Sequence, residues 1–342
     1  MLKFLKVALY PVSLIYAVLL KADRKLTVAK KLPKCVISVG NITWGGTGKT
    51  PIVIELLDFL TEKNLKSVVL TRGYLRKTKH PIVLRNGAAG VCSMASGDEP
   101  LLIAKSAPKA VVVVGADRYN NALTFGAEAK PDVYVLDDGF QHWKIKRNLD
   151  MVCVNAANPF GNGMLIPLGI LRESPKSLKR ADVIVVTNCD MVSKAGINNL
   201  KKKLFELSGK DPILACYGDF KYKTVDLNAD FDVSLLKSNE VYSLSAIGFA
   251  QGFKNSIEKS GVTLKGSVIL RDHSQYSDSK LNELIAQKKA NAYFIITAKD
   301  AVKLQNVDSK IKEKIAVLTV KPQFITGKEQ WEQTILKRLR FF

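Results

Sequence analysis

A doubly wound parallel α/β sheet joined to a second, smaller α/β domain is the fold this sequence predicts, on three observations. Short β-branched runs alternate with helix-like segments from residue 34 onward. The runs are apolar along their whole length, as strands covered by helices on both faces are, with no alternation of polarity. The pattern breaks at a polar stretch, DFKYKTVDLNADFDVSLLKSNE (219–240), and then resumes.

The chain opens with Val7 to Leu20, uncharged and bracketed by Lys3, Lys6, Lys21, Arg24 and Lys25. As a helix this run rises about 21 Å, short of the roughly 30 Å hydrocarbon layer, which disfavours a membrane span. Pro11 would kink it. No small-x-small cleavage site follows, so a signal peptide is not expected. Two readings stay open: a helix buried in the core, or an interfacial helix whose basic flanks are each worth about 1 kcal/mol near anionic lipid.

Strands are expected at 35–40, 67–73, 110–115, 132–139, 150–156, 182–188 and 212–218. Beyond the polar stretch, a second set falls at 240–248, 265–272, 292–300 and 315–320. The predicted division is therefore 1–30 as a membrane-associating amino-terminal helix, 31–225 as the main domain, and 226–342 as a smaller α/β domain contributing to a shared cleft.

Composition bounds the partners. In 342 residues, 52 Lys+Arg against 31 Asp+Glu leave a net charge of +21, which points to an anionic partner: nucleic acid, an acidic membrane face or a phosphorylated substrate. The lysines are spread along most of the chain and no nucleic-acid motif accompanies them, so nucleic acid is not the expected partner. Five scattered cysteines, mostly in apolar runs, read as buried thiols of a reducing compartment without zinc-ligand spacing.

The segment VGNITWGGTGKTP (39–51) lies between an apolar strand and the helix-like run IVIELLDFL, the context a phosphate-binding loop requires. Main-chain amides of Thr43, Trp44, Gly45, Gly46, Thr47 and Gly48 would face phosphate oxygens, Lys49 would reach the β and γ phosphates, and the Thr50 hydroxyl would hold Mg²⁺. The usual pattern has glycine where Thr43 stands. The strand VYVLDDG ends in Asp137 and Asp138, candidates to orient Mg²⁺ from the carboxyl edge of the sheet. The fold expected is thus P-loop NTPase-like. VVTNCD (185–190) faintly resembles the guanine-reading [NT]-K-x-D, with Asn188 in place of lysine, and keeps a nucleotide switch protein open as an alternative.

Taken in order, VGNITWGGTGKTP, TRGY (71–74), GDEP (97–100), ADR (116–118), LDDGFQH (136–142), GNGMLIPLGILRE (161–173) and RDHSQYS (271–277) resemble the tetraacyldisaccharide 4'-kinase family over more than two thirds of the chain. The resemblance implies a peripheral enzyme on the cytoplasmic face of the bacterial inner membrane. It would move the γ-phosphate of ATP, with Mg²⁺, to the 4'-hydroxyl of an acylated disaccharide 1-phosphate lipid, and the amino-terminal segment would hold it at the anionic leaflet. By the same resemblance Asp98 is the general base, assisted by His273; read from its own neighbours alone, Asp98 before Pro100 and an apolar run is better read as a helix N-cap. Arg118, Arg172 and Arg72 become phosphate clamps. Gln141 and His142, with Glu173, become groups that position the acceptor or the Mg²⁺ shell. The family's proline-rich loop appears here as LIPLGILRESP, keeping Arg172 and Glu173.

Overall fold

The computed structural model describes residues 2–340 apart from Ala89, His273, Ala290 and Gln305. Its strands are β1 (Cys35–Gly40), β2 (Ser67–Thr71), β3 (Ile82–Leu84), β4 (Val111–Val114), β5 (Val133–Asp137), β6 (Leu149–Asn155), β7 (Val183–Thr187), β8 (Ile213–Lys223), β9 (Val241–Ser245), β10 (Gly266–Ile269), β11 (Tyr293–Thr297) and β12 (Ile315–Thr326). Every run marked in the sequence overlaps one of them, and β12 continues to Thr326 where an end at residue 320 was expected. The short β3 went unmarked, and β8 continues to Lys223 where an end at residue 218 was expected.

Packing divides the chain into two compact units. The first holds Met1–Thr71, Asp117–Cys216 and Phe324–Phe342. Its strands run in the order β8-β7-β6-β1-β5-β2, all parallel. β1 is central, with Val39 opposite Asp137 of β5 on one side and Met151 of β6 on the other. β1, β2, β5, β6 and β7 are buried at every position, because their β-branched side chains meet helices above and below the sheet. The second unit holds Arg72–Ala116 and Tyr217–Gln323. There β10-β9-β11-β12 lie side by side with parallel β10–β9, β9–β11 and β11–β12 pairs, and β3 pairs antiparallel with β4.

This division departs from the sequential one expected. Residues 72–116, placed by the sequence reading in the main domain, pack in the second unit, and residues 324–342 return to the first. The return has a clear cause: in helix Lys328–Arg340, Trp331 is fully buried between Phe59 and Phe324, at 5.3 and 5.2 Å between ring centroids, and its indole N–H points at the Met151 sulfur, 3.2 Å away.

The amino-terminal helix α1 spans Leu2–Leu26, longer than the apolar run suggested, and contains Pro11. Neither a core helix nor a free one, it is fastened along one edge. The Ser13 hydroxyl lies 3.1 and 3.2 Å from the Leu165 and Ile166 carbonyls, and the Tyr16 hydroxyl donates to the Arg172 carbonyl at 3.0 Å. The opposite side stays in solvent, with Tyr10, Leu14, Ile15, Val18 and Leu19 all more than half exposed. Among the described residues no helix is long and apolar enough to cross a membrane.

Candidate active site

The glycine-rich segment begins where β1 stops. A Cβ on Gly40 would lie 2.6 Å from the Phe140 Cβ and 2.7 Å from the Phe140 nitrogen, so only glycine lets the DDGFQH turn close over the exit of β1. Thr43, where glycine is usual, is buried and forms an antiparallel bridge to Leu171; the Trp44 amide donates to the Ile170 carbonyl at 2.6 Å. The Trp44 ring itself is exposed. Three side chains that sequence reasoning did not single out hold the rest. Asn41 donates to the Thr47 hydroxyl (2.9 Å), Asn155 at the end of β6 to the Gly46 carbonyl (3.0 Å), and Thr187 at the end of β7 to the Thr47 carbonyl (3.0 Å). Their signal in the sequence was position: polar residues where buried parallel strands end face the ligand edge of the sheet. Helix α2 (Lys49–Glu62) then starts from Gly48, in left-handed conformation at φ 73, so that Lys49 and Thr50 open its first turn and its free amides.

Lys49 does not stand alone. Its ammonium is 3.4 Å from Asp138 Oδ1, while Arg172 donates to Asp138 Oδ2 at 2.7 Å and Arg118, buried, donates to the Asp138 carbonyl at 3.3 Å. Asp138 itself, at φ 51, is the residue that turns the chain out of β5. Burial works to raise its carboxyl, but Lys49, Arg172 and Arg118 outweigh it and hold the group well below the usual carboxylate range. Its neighbour Asp137 is buried and accepts from the Thr71 hydroxyl at 2.9 Å. The Thr50 hydroxyl and these two carboxylates are hard oxygen donors and few in number, which suits Mg²⁺, an ion that keeps much of its shell for water and phosphate.

Behind this cluster lies a second one. Gln141 donates from one amide nitrogen to the Asn41 carbonyl and to Glu173 Oε1, both at 2.9 Å, and Arg180 pairs with Glu173 at 2.9 Å while stacking over Phe140 and Trp143. Gln141 and Glu173 thus bind each other and the loop base, and Arg180, unmarked in the sequence, completes the staple. His142 is pushed down to about 3, first by burial and then by Arg118, Arg147 and Lys144, so it is neutral at pH 7. Asn188, the position that decides the guanine-reading motif, turns back to the Thr187 hydroxyl at 3.4 Å.

Asp98 and Arg72 belong to the second unit, and His273 lies outside the described residues. Arg72 is exposed. Asp98 begins helix α3 (Asp98–Ser106), whose N-cap is Gly97, with no side-chain cap hydrogen bond. Asp98 is therefore not the N-cap its surroundings suggested. Gly97 is at φ 93, and a Cβ on it would meet the Gly73 Cα at 3.3 Å, so the GDEP and TRGY segments touch at two glycines. The Asp98 carboxylate, buried, has the Lys303 ammonium 3.8 Å away, and the next residue, Glu99, pairs with Lys299 at 3.0 Å.

A glycine-rich turn between a central parallel strand and a helix that opens on Lys-Thr, with an acidic pair ending the adjacent strand, defines an α/β protein of the P-loop type. The tetraacyldisaccharide-1-P 4'-kinase family model matches residues 5–340. The chain is 32% identical to the tetraacyldisaccharide 4'-kinase of Chlorobaculum parvum, over 97% of this chain and 94% of that one, and 30% identical to that of Pelobacter propionicus, over 90% and 85%. A crystal structure of LpxK from Aquifex aeolicus in complex with ATP superposes with a TM-score of 0.77 at 30% identity, covering 98% of this chain and 99% of that one. The chain belongs to the tetraacyldisaccharide 4'-kinase family and is a kinase.

Proposed function

We propose that this kinase transfers the γ-phosphate of ATP to the 4'-hydroxyl of a tetraacylated disaccharide 1-phosphate, at the cytoplasmic face of the bacterial inner membrane. One observation carries the reading: in a chain matched across residues 5–340, Lys49 and Arg172 both engage Asp138 at the head of α2. Lys49 is poised there to exchange a carboxylate for phosphate oxygens. Arg172 and Arg118 remain on Asp138 while it does so, keeping that carboxylate fixed and ionised. Thr50, Asp137 and Asp138 would hold Mg²⁺, which neutralises phosphate charge when bound. The amides of Gly45 to Gly48 bind and orient the triphosphate at the positive end of α2.

A sugar hydroxyl is a weak nucleophile and needs a group to accept its proton as the P–O bond forms, a contribution of roughly 10² to 10⁴. Asp98 takes that role, with His273 assisting it. Its place in the first turn of α3, buried and 3.8 Å from the Lys303 ammonium, supports the assignment. The exposed apolar side of α1, flanked by Lys21, Arg24 and Lys25, supports peripheral attachment to an anionic leaflet.

Incubating the protein with labelled ATP, Mg²⁺ and the tetraacylated disaccharide 1-phosphate in detergent tests the reading. Label is expected in the lipid. Label found as free phosphate alone, whether or not lipid is present, removes it.

A further inference from the structure

We propose that Lys303 is the positioning residue for Asp98: a dry ammonium that aims the carboxylate assigned above as the base. The inference rests on that assignment. Lys303 follows β11 in the segment TAKDAVK, and its side chain is fully buried. A buried ammonium has three N–H donors to satisfy and is costly to leave unpaired. Here the ammonium donates to Asp300 Oδ1 at 3.0 Å and to the Ala246 carbonyl at 3.4 Å, and it forms an ion pair with Asp98 Oδ2 at 3.8 Å, with the Tyr276 ring 5.6 Å away.

Asp300 does not need Lys303 to be satisfied. It already accepts from the Ala246 amide at 3.3 Å and from the Thr297 hydroxyl at 2.7 Å. Fixed in this way, Asp300 anchors the ammonium, and the lysine reaches past it to Asp98. One turn earlier on the same face, Lys299 binds Glu99 at 3.0 Å and stands 3.8 Å from Asp272. Burial works against the Lys299 charge, yet Glu99, Asp272 and Asp98 together hold its ammonium above the ordinary lysine range. Two lysines at i and i+4 thus grip two consecutive acids of GDEP. Gly97, pinned against Gly73, sets where the Asp98 backbone lies; Lys303 sets where its oxygens point.

The experiment is a double-mutant cycle in the full-length enzyme. Lys303→Met is combined with Asp300→Asn, so that Asp300 is not left as a buried charge without its cation and the carboxamide can keep the contacts to Ala246 and Thr297. The pair should lower kcat roughly 10²-fold, the usual cost of a misplaced catalytic group, with the KM for ATP changed by no more than about twofold. Added to Asp98→Ala, it should lower the rate no further. A wild-type kcat in the pair, or the same loss on top of Asp98→Ala, overturns the inference, whereas a wild-type rate in Asp98→Ala alone overturns the base assignment instead. A second measurement needs no change at Lys303: in protein carrying ¹⁵N-lysine, Asp98→Asn should shift the exchange-protected ammonium resonance of Lys303. An unmoved resonance refutes the contact.

Discussion

The Lys49 cluster of the first unit and the Lys303 cluster of the second are both lysines facing aspartates, yet they are built for opposite purposes. Around Lys49 the charges are partly wet, with side chains 11%, 30% and 24% exposed for Lys49, Asp138 and Arg172, and Lys49 and Arg172 each reach the carboxylate through the end of a long side chain. Around Lys303 nothing is wet: Lys303 and Asp300 are completely buried and the carboxylate is tied to a main-chain amide. Partly solvated pairs cost little to break and re-form, whereas dry ones are costly to disturb. The first arrangement can change partners during a reaction cycle, and the second keeps one geometry throughout.

The comparison is sharpened first by activity. Asp98→Ala should lower lipid phosphorylation by about 10² to 10⁴, and Lys49→Ala by about 10² to 10³ with weakened ATP binding. Single-turnover transfer of labelled phosphate measures both, and an Asp98→Ala enzyme of normal rate would break the assignment. Stability comes next. Asp300→Ala removes the cation's nearest buried partner and should cost about 3 to 5 kcal/mol in urea denaturation, whereas Asp138→Asn, in the wetter cluster, should cost less, about 1.5 to 3 kcal/mol. Equal losses would erase the distinction between the two clusters.

A smaller effect is expected at the surface. Replacing both Leu14 and Leu19 by Glu removes two exposed side chains, each worth about 1.5 to 3 kcal/mol when buried in an apolar phase, so co-sedimentation with anionic vesicles should drop by at least roughly tenfold while activity on detergent-dispersed lipid persists. Undiminished sedimentation would end the membrane role of α1. The smallest effect is a pH dependence. The folded-state value of His142, about 3, lies below its ordinary 6.5, so between these limits the unfolded chain binds a proton that the folded one does not. The stability it contributes is full above about 6.5 and is lost as pH falls toward 3. The stability difference between wild type and His142→Gln should therefore change over that window and stay constant above it; a flat difference throughout would contradict a buried, neutral His142.

Much of the first unit was legible in the sequence because its signals are local. Uniformly apolar strands, a glycine-rich turn and an acidic pair at a strand end each declare themselves over a short stretch of chain. What escaped notice depends on distant partners. Residues 72–116 contain apolar segments like those of the first unit, among them α3 and β4, so no change of composition marks their passage into the second. The polar stretch 219–240 was visible and drew the boundary too late. Lys299, inside a run read as a strand, and Lys303, just beyond it, carry no local signal until the fold brings them to Glu99 and Asp98. Asn41, Asn155 and Thr187 likewise gain meaning only when β1, β6 and β7 end side by side. The helix α1, Leu2–Leu26, falls within the 1–30 segment read as an amino-terminal helix and takes in the charged flanks of the apolar run.

The segment from Leu165 to Arg172 serves two masters. Its carbonyls receive the hydroxyls of Tyr16 and Ser13, and its terminal guanidinium grips the carboxylate beside Lys49. A tug on the amino-terminal helix is therefore a tug on the rod that ends at the carboxylate paired with Lys49, and an enzyme trimmed of that helix should bind ATP more weakly as well as bind anionic vesicles less.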